Sequence, residues 1–256
     1  MNFQRLFIHP VQALIRRFFK AFGYEILKMG RDYGPGELEI LAKVRSYTCT
    51  STERLAGLIN AVNYLTRNKI EGDFVECGVW RGGSMMAAML ALMKLGDTSR
   101  HFYLFDTYEG MTTPTDKDVS DDGLSATDYL AMAGKEEDRV HWCIASLEDV
   151  QRNVFSTGYP KDKIHFVKGK VEDTLPGPVP KSIALLRLDT DWYESTHHEM
   201  VHLYPLLRPN GVLILDDYGY WQGSRRAVDE YFAAQKIVPL LHKLDHPGRL
   251  AVKPAT

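Results

Sequence analysis

Two strand-like apolar runs in this 256-residue sequence stop on paired carboxylates. In IALLRLDTDWYEST the apolar residues run into Asp189 and Asp191; in GVLILDDYG they run into Asp216 and Asp217. In a doubly wound sheet these would be the fourth and fifth strands, side by side, with their carboxylates on one rim. Carboxylates crowded together repel unless protons or a cation intervene, and hard oxygen donors suit Mg²⁺. Asp189 and Asp216, each directly ending an apolar run, are therefore expected to ligate a divalent metal. Asp191 reads equally well as a cap for the helix that follows, and Asp217 has turn capping as its alternative. Such a centre would activate a weakly acidic hydroxyl, since a metal lowers the pKa of bound water from about 15.7 to about 7. Chelating two adjacent hydroxyls would also fix the attacking oxygen.

An earlier run ends in VECGVWRGGS, where Gly78, Gly82 and Gly83 allow a tight turn and Ser84 is expected to open the next helix. A dinucleotide site would need G-x-G-x-x-G, and Trp80 breaks that spacing. The pattern is instead Glu76 followed by G-x-x-x-G. The next run, HFYLFDTY, ends on Asp106, placed to accept from ribose hydroxyls, with Thr107 beside it. An acidic nucleotide site without a phosphate cradle suits S-adenosylmethionine, which is cationic at sulfur and nitrogen and carries no phosphate. The expected cofactor-binding set is Glu76, Gly78, Ser84, Asp106, Thr107 and Asp189.

The elements that must hold these residues are legible as alternation. From Asp73 onward, short apolar runs alternate with amphipathic helices, which predicts a seven-stranded, mostly parallel α/β sheet of doubly wound, Rossmann-like class I methyltransferase type. The tail IVPLLHKLDH-PG-RLAVKP has no helix between its two runs and predicts a closing antiparallel hairpin. Leu38–Val44 and Thr52–Asn68 are predicted helices, the second opening on Ser51 or Thr52. Residues 108–139 are polar, acidic and long for a connection, which predicts an active-site lid that orders on binding. Residues 1–46 form a helical cap or oligomer segment in this reading, and residues 47–256 the cofactor-binding domain.

Composition narrows the partners. A formal net charge of −2 argues against nucleic acid as a partner, and three cysteines without CxxC spacing fit a reduced cytoplasm better than a disulfide framework or a zinc ribbon. No apolar run is long enough to span a bilayer, and no signal-peptide pattern opens the chain. Near the N-terminus, Phe7, Val11, Leu14 and Phe18 recur at helical spacing beside Arg16, Arg17 and Lys20. This basic amphipathic helix is expected to pack on the protein body or on a second subunit in preference to a membrane surface. His198 and His202 stand four residues apart but lack the glutamate and third ligand of a zinc site, so they are read as surface or packing residues.

The linked motifs GDFVECGVWRGGS, FDTYEGM, VEDTLP, LDTDWYEST and GVLILDDYGYWQGSRRAVDEYF closely resemble the macrocin O-methyltransferase family across roughly residues 47–253. The resemblance implies a metal-dependent enzyme that methylates sugar hydroxyls, with S-adenosylmethionine as donor, Mg²⁺ as cofactor and frequent homo-oligomers. By the same resemblance Glu76 and Gly78 belong to the cofactor loop, Asp106 to the ribose contact and Asp173 to a position near the adenine. Asp189, Asp216 and Asp217 match the metal ligands, with Asp189 also the candidate general base, and YTCTSTERL matches a segment closing over the methionine end. The acceptor is expected to be a sugar on a glycoside, a nucleotide or a polysaccharide end. The rival readings are a catechol-type metal-dependent methyltransferase, which the mostly polar lid disfavours, and a non-catalytic assembly protein that binds S-adenosylmethionine.

Overall fold

A computed structural model describes residues 14, 15, 17–22, 32–132 and 142–255. The chain divides into two compact units at Leu38/Glu39. Within the larger one, α1 (Pro35–Val44, crossing the division) buries Ile40, Leu41 and Val44, and α2 (Thr52–Arg67) opens on Ser51, whose hydroxyl accepts from the Arg54 N–H. Phe7, Val11 and Arg16 of the expected basic amphipathic helix lie outside the described residues.

Seven strands form one sheet in the order β3-β2-β1-β4-β5-β7-β6. Their spans are β1 Asp73–Cys77, β2 Phe102–Asp106, β3 Ile164–Lys168, β4 Ile183–Leu188, β5 Leu207–Leu215, β6 His242–Lys243 and β7 Arg249–Val252. The strands from β1 to β5 run parallel, and β7 enters between β5 and β6 antiparallel to both, which is the hairpin the tail predicts. The central strand β4 is buried at every position, as a parallel strand covered on both faces must be. One set of packed helices joins α2, α3 (Gly83–Lys94) and α5 (Leu147–Phe155); another joins α6 (Val171–Thr174), α7 (Tyr193–Leu203) and α8 (Gln222–Ala234). Val75, Leu186 and Leu213 from the sheet meet Met200 of α7 and Val228 of α8 in the core.

Register places the chemistry. Phe105 of β2 pairs with Cys77 of β1, Cys77 with Leu188 of β4, and Leu188 with Leu215 of β5. The residues that follow, Asp106, Gly78, Asp189 and Asp216, therefore stand abreast along the carboxyl rim. Backbone hydrogen bonds of 2.9 Å lock three of them: Gly78 N–H to Phe105, Asp189 N–H to Cys77 and Asp216 N–H to Leu188. The strand order reverses between β1 and β4, which is where open α/β sheets bind ligands.

The interval expected to form a lid is anchored over its described part. Asp118 is fully buried and accepts from the N–H groups of Thr115 at 2.8 Å and Tyr193 at 2.7 Å. The Trp192 indole donates to the Thr112 carbonyl at 3.1 Å, and α4 (Ala126–Ala131) follows. These part-buried hydrogen bonds tie the described part of the stretch to the start of α7, and residues 133–139 of the expected lid lie outside the described residues.

Gly78 is the tightest point of the rim. Its φ is +80°, and a Cβ there would lie 1.8 Å from the Asp189 carbonyl oxygen. Gly78→Ala should cost about 2–4 kcal/mol of unfolding free energy through strain and displaced backbone. Urea denaturation of the two proteins checks this.

Candidate active site

A cavity of about 600 Å³ opens above the carboxyl rim, a size that suits a nucleoside-sized ligand together with part of a second molecule. Of the residues singled out in the sequence, Gly78, Ser84, Asp106, Thr107, Asp189, Asp216 and Asp217 all line it. Ser84 does not open α3, because Gly82 with φ +89° occupies the cap; Ser84 is the second residue of the helix and is buried, its hydroxyl 3.4 Å from that of Thr50. Asp106 spends much of its carboxylate on its own strand ends. One oxygen accepts from Val79 N–H at 2.7 Å and Trp80 N–H at 3.0 Å, the other from Tyr108 N–H at 2.7 Å. Burial raises its pKa and these amides oppose the rise. Thr107 donates to the Gly110 carbonyl at 2.6 Å.

Two expected residues stand off the cavity wall. Asp173 is exposed on α6, and its neighbour Glu172 lines the cavity in its place. The correction has a simple cause: adjacent residues on a helix point about 100° apart. Glu76 is fully buried inside β1, where it accepts from Arg187 Nη1 at 2.6 Å. Its effect on any ligand therefore passes through that arginine.

Arg187 itself was not among the expected site residues. Its guanidinium, 3% exposed, lies 2.6 Å from Glu76, 2.9 Å from Asp189 and 2.8 Å from Asp216, and also donates to the Thr50 hydroxyl at 2.9 Å. Burial opposes its charge, yet the surrounding carboxylates outweigh burial and hold its pKa well above the ordinary value. Arg54 is the second cation. From the first turn of α2 it pairs with Asp216 and, at 2.8 Å, with Asp245, which also accepts from the Ser51 hydroxyl at 2.6 Å. The one sequence signal for Arg187 was a lone arginine within a six-residue apolar strand.

Two guanidiniums meet six carboxylates, Glu76, Asp189, Asp191, Asp216, Asp217 and Asp245, and the surplus raises carboxyl pKa values along the rim. Asp189 keeps 29% of its side chain open to the cavity; burial of the rest pushes its pKa up to about 6 against the pull of Arg187. Asp191 is pushed up to about 8, by burial first and Asp189 second. Asp217 rises well above the ordinary range by burial and then by Asp191 and Asp189. Asp191 does not cap α7: it adopts φ +66°, donates its N–H to Asp217 Oδ2 at 3.1 Å and accepts from the Trp221 indole at 2.9 Å. The Asp217 side chain is thus engaged with Asp191, while the turn after β5 is made by its backbone carbonyl, which accepts from Tyr220 and Trp221. Among the described residues, no three His, Cys, Asp or Glu side chains are grouped as metal ligands. His198 and His202 sit against each other on α7 and do not line the cavity. An aromatic cluster that includes Trp192, Trp221 and Tyr129 adjoins the cavity, with Tyr220 packed against it.

The chain matches the family model described as Macrocin-O-methyltransferase (TylF) over residues 28–251. It is 33% identical over 204 residues to the 8-demethyl-8-(2,3-dimethoxy-alpha-L-rhamnosyl)-tetracenomycin-C 4'-O-methyltransferase of Streptomyces olivaceus, covering 79% of this chain and 74% of that one. To the mycinamicin III 3''-O-methyltransferase of Micromonospora griseorubida it is 31% identical over 228 residues, covering 89% and 83%. Among solved structures, the O-methyltransferase NovP superposes with a TM-score of 0.70 at 32% identity, over 82% of this chain and 83% of that one.

A carboxyl whose folded pKa is raised holds its proton more tightly than in the unfolded chain. It adds stability at low pH that is lost as pH climbs through the folded value. In metal-free buffer the melting temperature should therefore fall between about pH 5 and pH 9, by about 2–4 °C per kcal/mol for a chain of this size. Asp191→Asn should flatten the part of the decline near pH 8. Thermal melts across that range test both statements.

Proposed function

The chain belongs to the TylF macrocin O-methyltransferase family, and from that footing we propose that it methylates a hydroxyl of a sugar-containing acceptor, using S-adenosylmethionine and Mg²⁺. The observation that carries the reading is the register that sets Asp106, Gly78, Asp189 and Asp216 abreast on one cavity.

The residues suit both groups. Among the described residues three cavity-lining side chains keep a buried polar atom without a hydrogen-bond partner: Asp216 Oδ1, which is ion-paired with Arg187, and the donor Trp80 Nε1 and acceptor Glu172 Oε2, which fit a polar cofactor. Asp106 retains acceptor capacity for a hydroxyl beyond its backbone donors. For the metal, the surplus of carboxylates over guanidiniums and the mutual rise in carboxyl pKa are what a hard divalent cation would relieve. Asp189, Asp216 and Asp217 would hold it, with Asp216 loosening its grip on Arg54. Bound there, Mg²⁺ supplies Lewis acidity to an adjacent hydroxyl pair.

The remaining work belongs to the chain. Asp189, the rim carboxylate open to the cavity, accepts the proton of the acceptor hydroxyl; a pKa near 6 makes it a stronger base than an ordinary aspartate. The freed oxygen lone pair forms the C–O bond as the methyl C–S bond breaks, and its electrons remain on sulfur. Arg187 holds Asp189 in place throughout, and the anchored 108–132 stretch limits water. The aromatic cluster suits the apolar face of a sugar ring, and it also favours a second reading in which a flat aromatic diol is the acceptor.

The test is turnover of S-adenosylmethionine with Mg²⁺ on a panel of glycosides, nucleotide sugars, oligosaccharides and catechols, followed by product mass. Methylated sugars lost in EDTA support the reading; methylated catechols alone select the second one; turnover unaffected by EDTA removes the metal. Asp189→Asn should lower kcat by about 10²–10⁴-fold while cofactor affinity stays within a few-fold of wild type.

A further inference from the structure

The described part of the N-terminal unit contains a helical stretch, residues 14–21 with 16 outside the description. Leu14, Ile15, Phe18 and Phe19 on it, and Phe22 in the following turn, are 41–70% exposed. At about 100° per residue, the four helical members fall within an arc of about 140°, and Arg17 and Lys20 fall together on the opposite side. The Phe18 ring packs on Phe19 at 5.7 Å and on Phe22 at 5.1 Å, so the aromatics form one patch. In sequence, four Lys or Arg and no Asp or Glu precede Glu25, although the whole chain carries a net charge of −2.

We propose that this segment docks the enzyme on an anionic lipid surface, with the Leu14–Phe18–Phe22 face entering the headgroup boundary and Arg17 and Lys20 meeting lipid phosphates. Charge selects the occupant. A second copy pairing through the same face would leave Arg17 and Lys20 on the outside with no opposite charge, whereas an anionic bilayer takes up the apolar face and supplies the opposite sign along the same surface. Elsewhere among the described residues, exposed large apolar side chains are scattered singly, apart from the Val238–Leu240 pair, and offer no matching aromatic surface. No helix among the described residues is long and apolar enough to cross a membrane, so the mode is in-plane. Packing on the protein body or on a second subunit, the sequence expectation, is the alternative, and the proposal stands independently of the proposed reaction.

The full chain is sedimented with phosphatidylcholine vesicles, with and without about a third phosphatidylglycerol, at low and high salt. Binding should be confined to the anionic vesicles and fall as salt rises. Arg17→Gln with Lys20→Gln should weaken partitioning at least tenfold, at about fivefold per charge. Phe18→Ser with Phe22→Ser should weaken it comparably, with the melting temperature of the larger unit unchanged in both variants. No partitioning at millimolar lipid, or partitioning indifferent to both variants, overturns the proposal. So does sedimentation velocity in which the wild type is a stable oligomer that the double Phe variant dissolves, while vesicles bind neither protein.

Discussion

The rim of the sheet depends on one buried cation. Arg187 reaches Glu76 on β1, Asp189 after its own strand and Asp216 after β5, so a single guanidinium binds the ends of three neighbouring strands. Removing such a partner leaves buried charges uncompensated, at a cost of about 3–5 kcal/mol, so the arrangement is over-determined even where it adds little net stability. What it supplies is position: the carboxylates that face the cavity are held by a guanidinium that is itself part of the cavity wall.

Arg54 extends the same logic to the cavity's edge. Through Asp216 and Asp245 it links the first turn of α2 to the end of β5 and to the loop between β6 and β7. The segment that covers one side of the cavity is therefore tied to the carboxylate cluster itself. Any cation entering the cluster competes with Arg54 for Asp216, which couples occupancy of the site to the grip on α2.

Much of this was readable in the sequence because it is written in strand ends. An apolar run stopping at Asp106, at Asp189 or at Asp216 announces both a strand and what its carboxyl end presents. The cross-strand partners were not readable one strand at a time. Glu76 and Arg187 are directly opposite in the β1–β4 register, so each explains the other's presence in an apolar run, but only once that register is known. The Arg54–Asp245 pair spans 191 residues and leaves no local trace. Asp173 came from the family resemblance, and a four-residue helix is too short for periodicity to show which of Glu172 and Asp173 faces inward. The hydrogen bonds that anchor residues 108–132 are donated by the Trp192 indole and the Tyr193 N–H, distant groups that a polar, weakly periodic stretch does not reveal.

The proposed reaction rests on the carboxylates at the ends of β4 and β5, where burial and mutual repulsion raise the pKa values of Asp189, Asp191 and Asp217, taking up a divalent cation beside the methyl donor. Calorimetric titration of Mg²⁺ at pH 7 into protein saturated with S-adenosylmethionine, in two buffers of different ionisation enthalpy, reads this directly. The account predicts saturable binding that releases about one proton, expelled from the coupled Asp191–Asp217 group. Metal binding with no proton release, or no metal binding to a protein that has bound its cofactor, would contradict it.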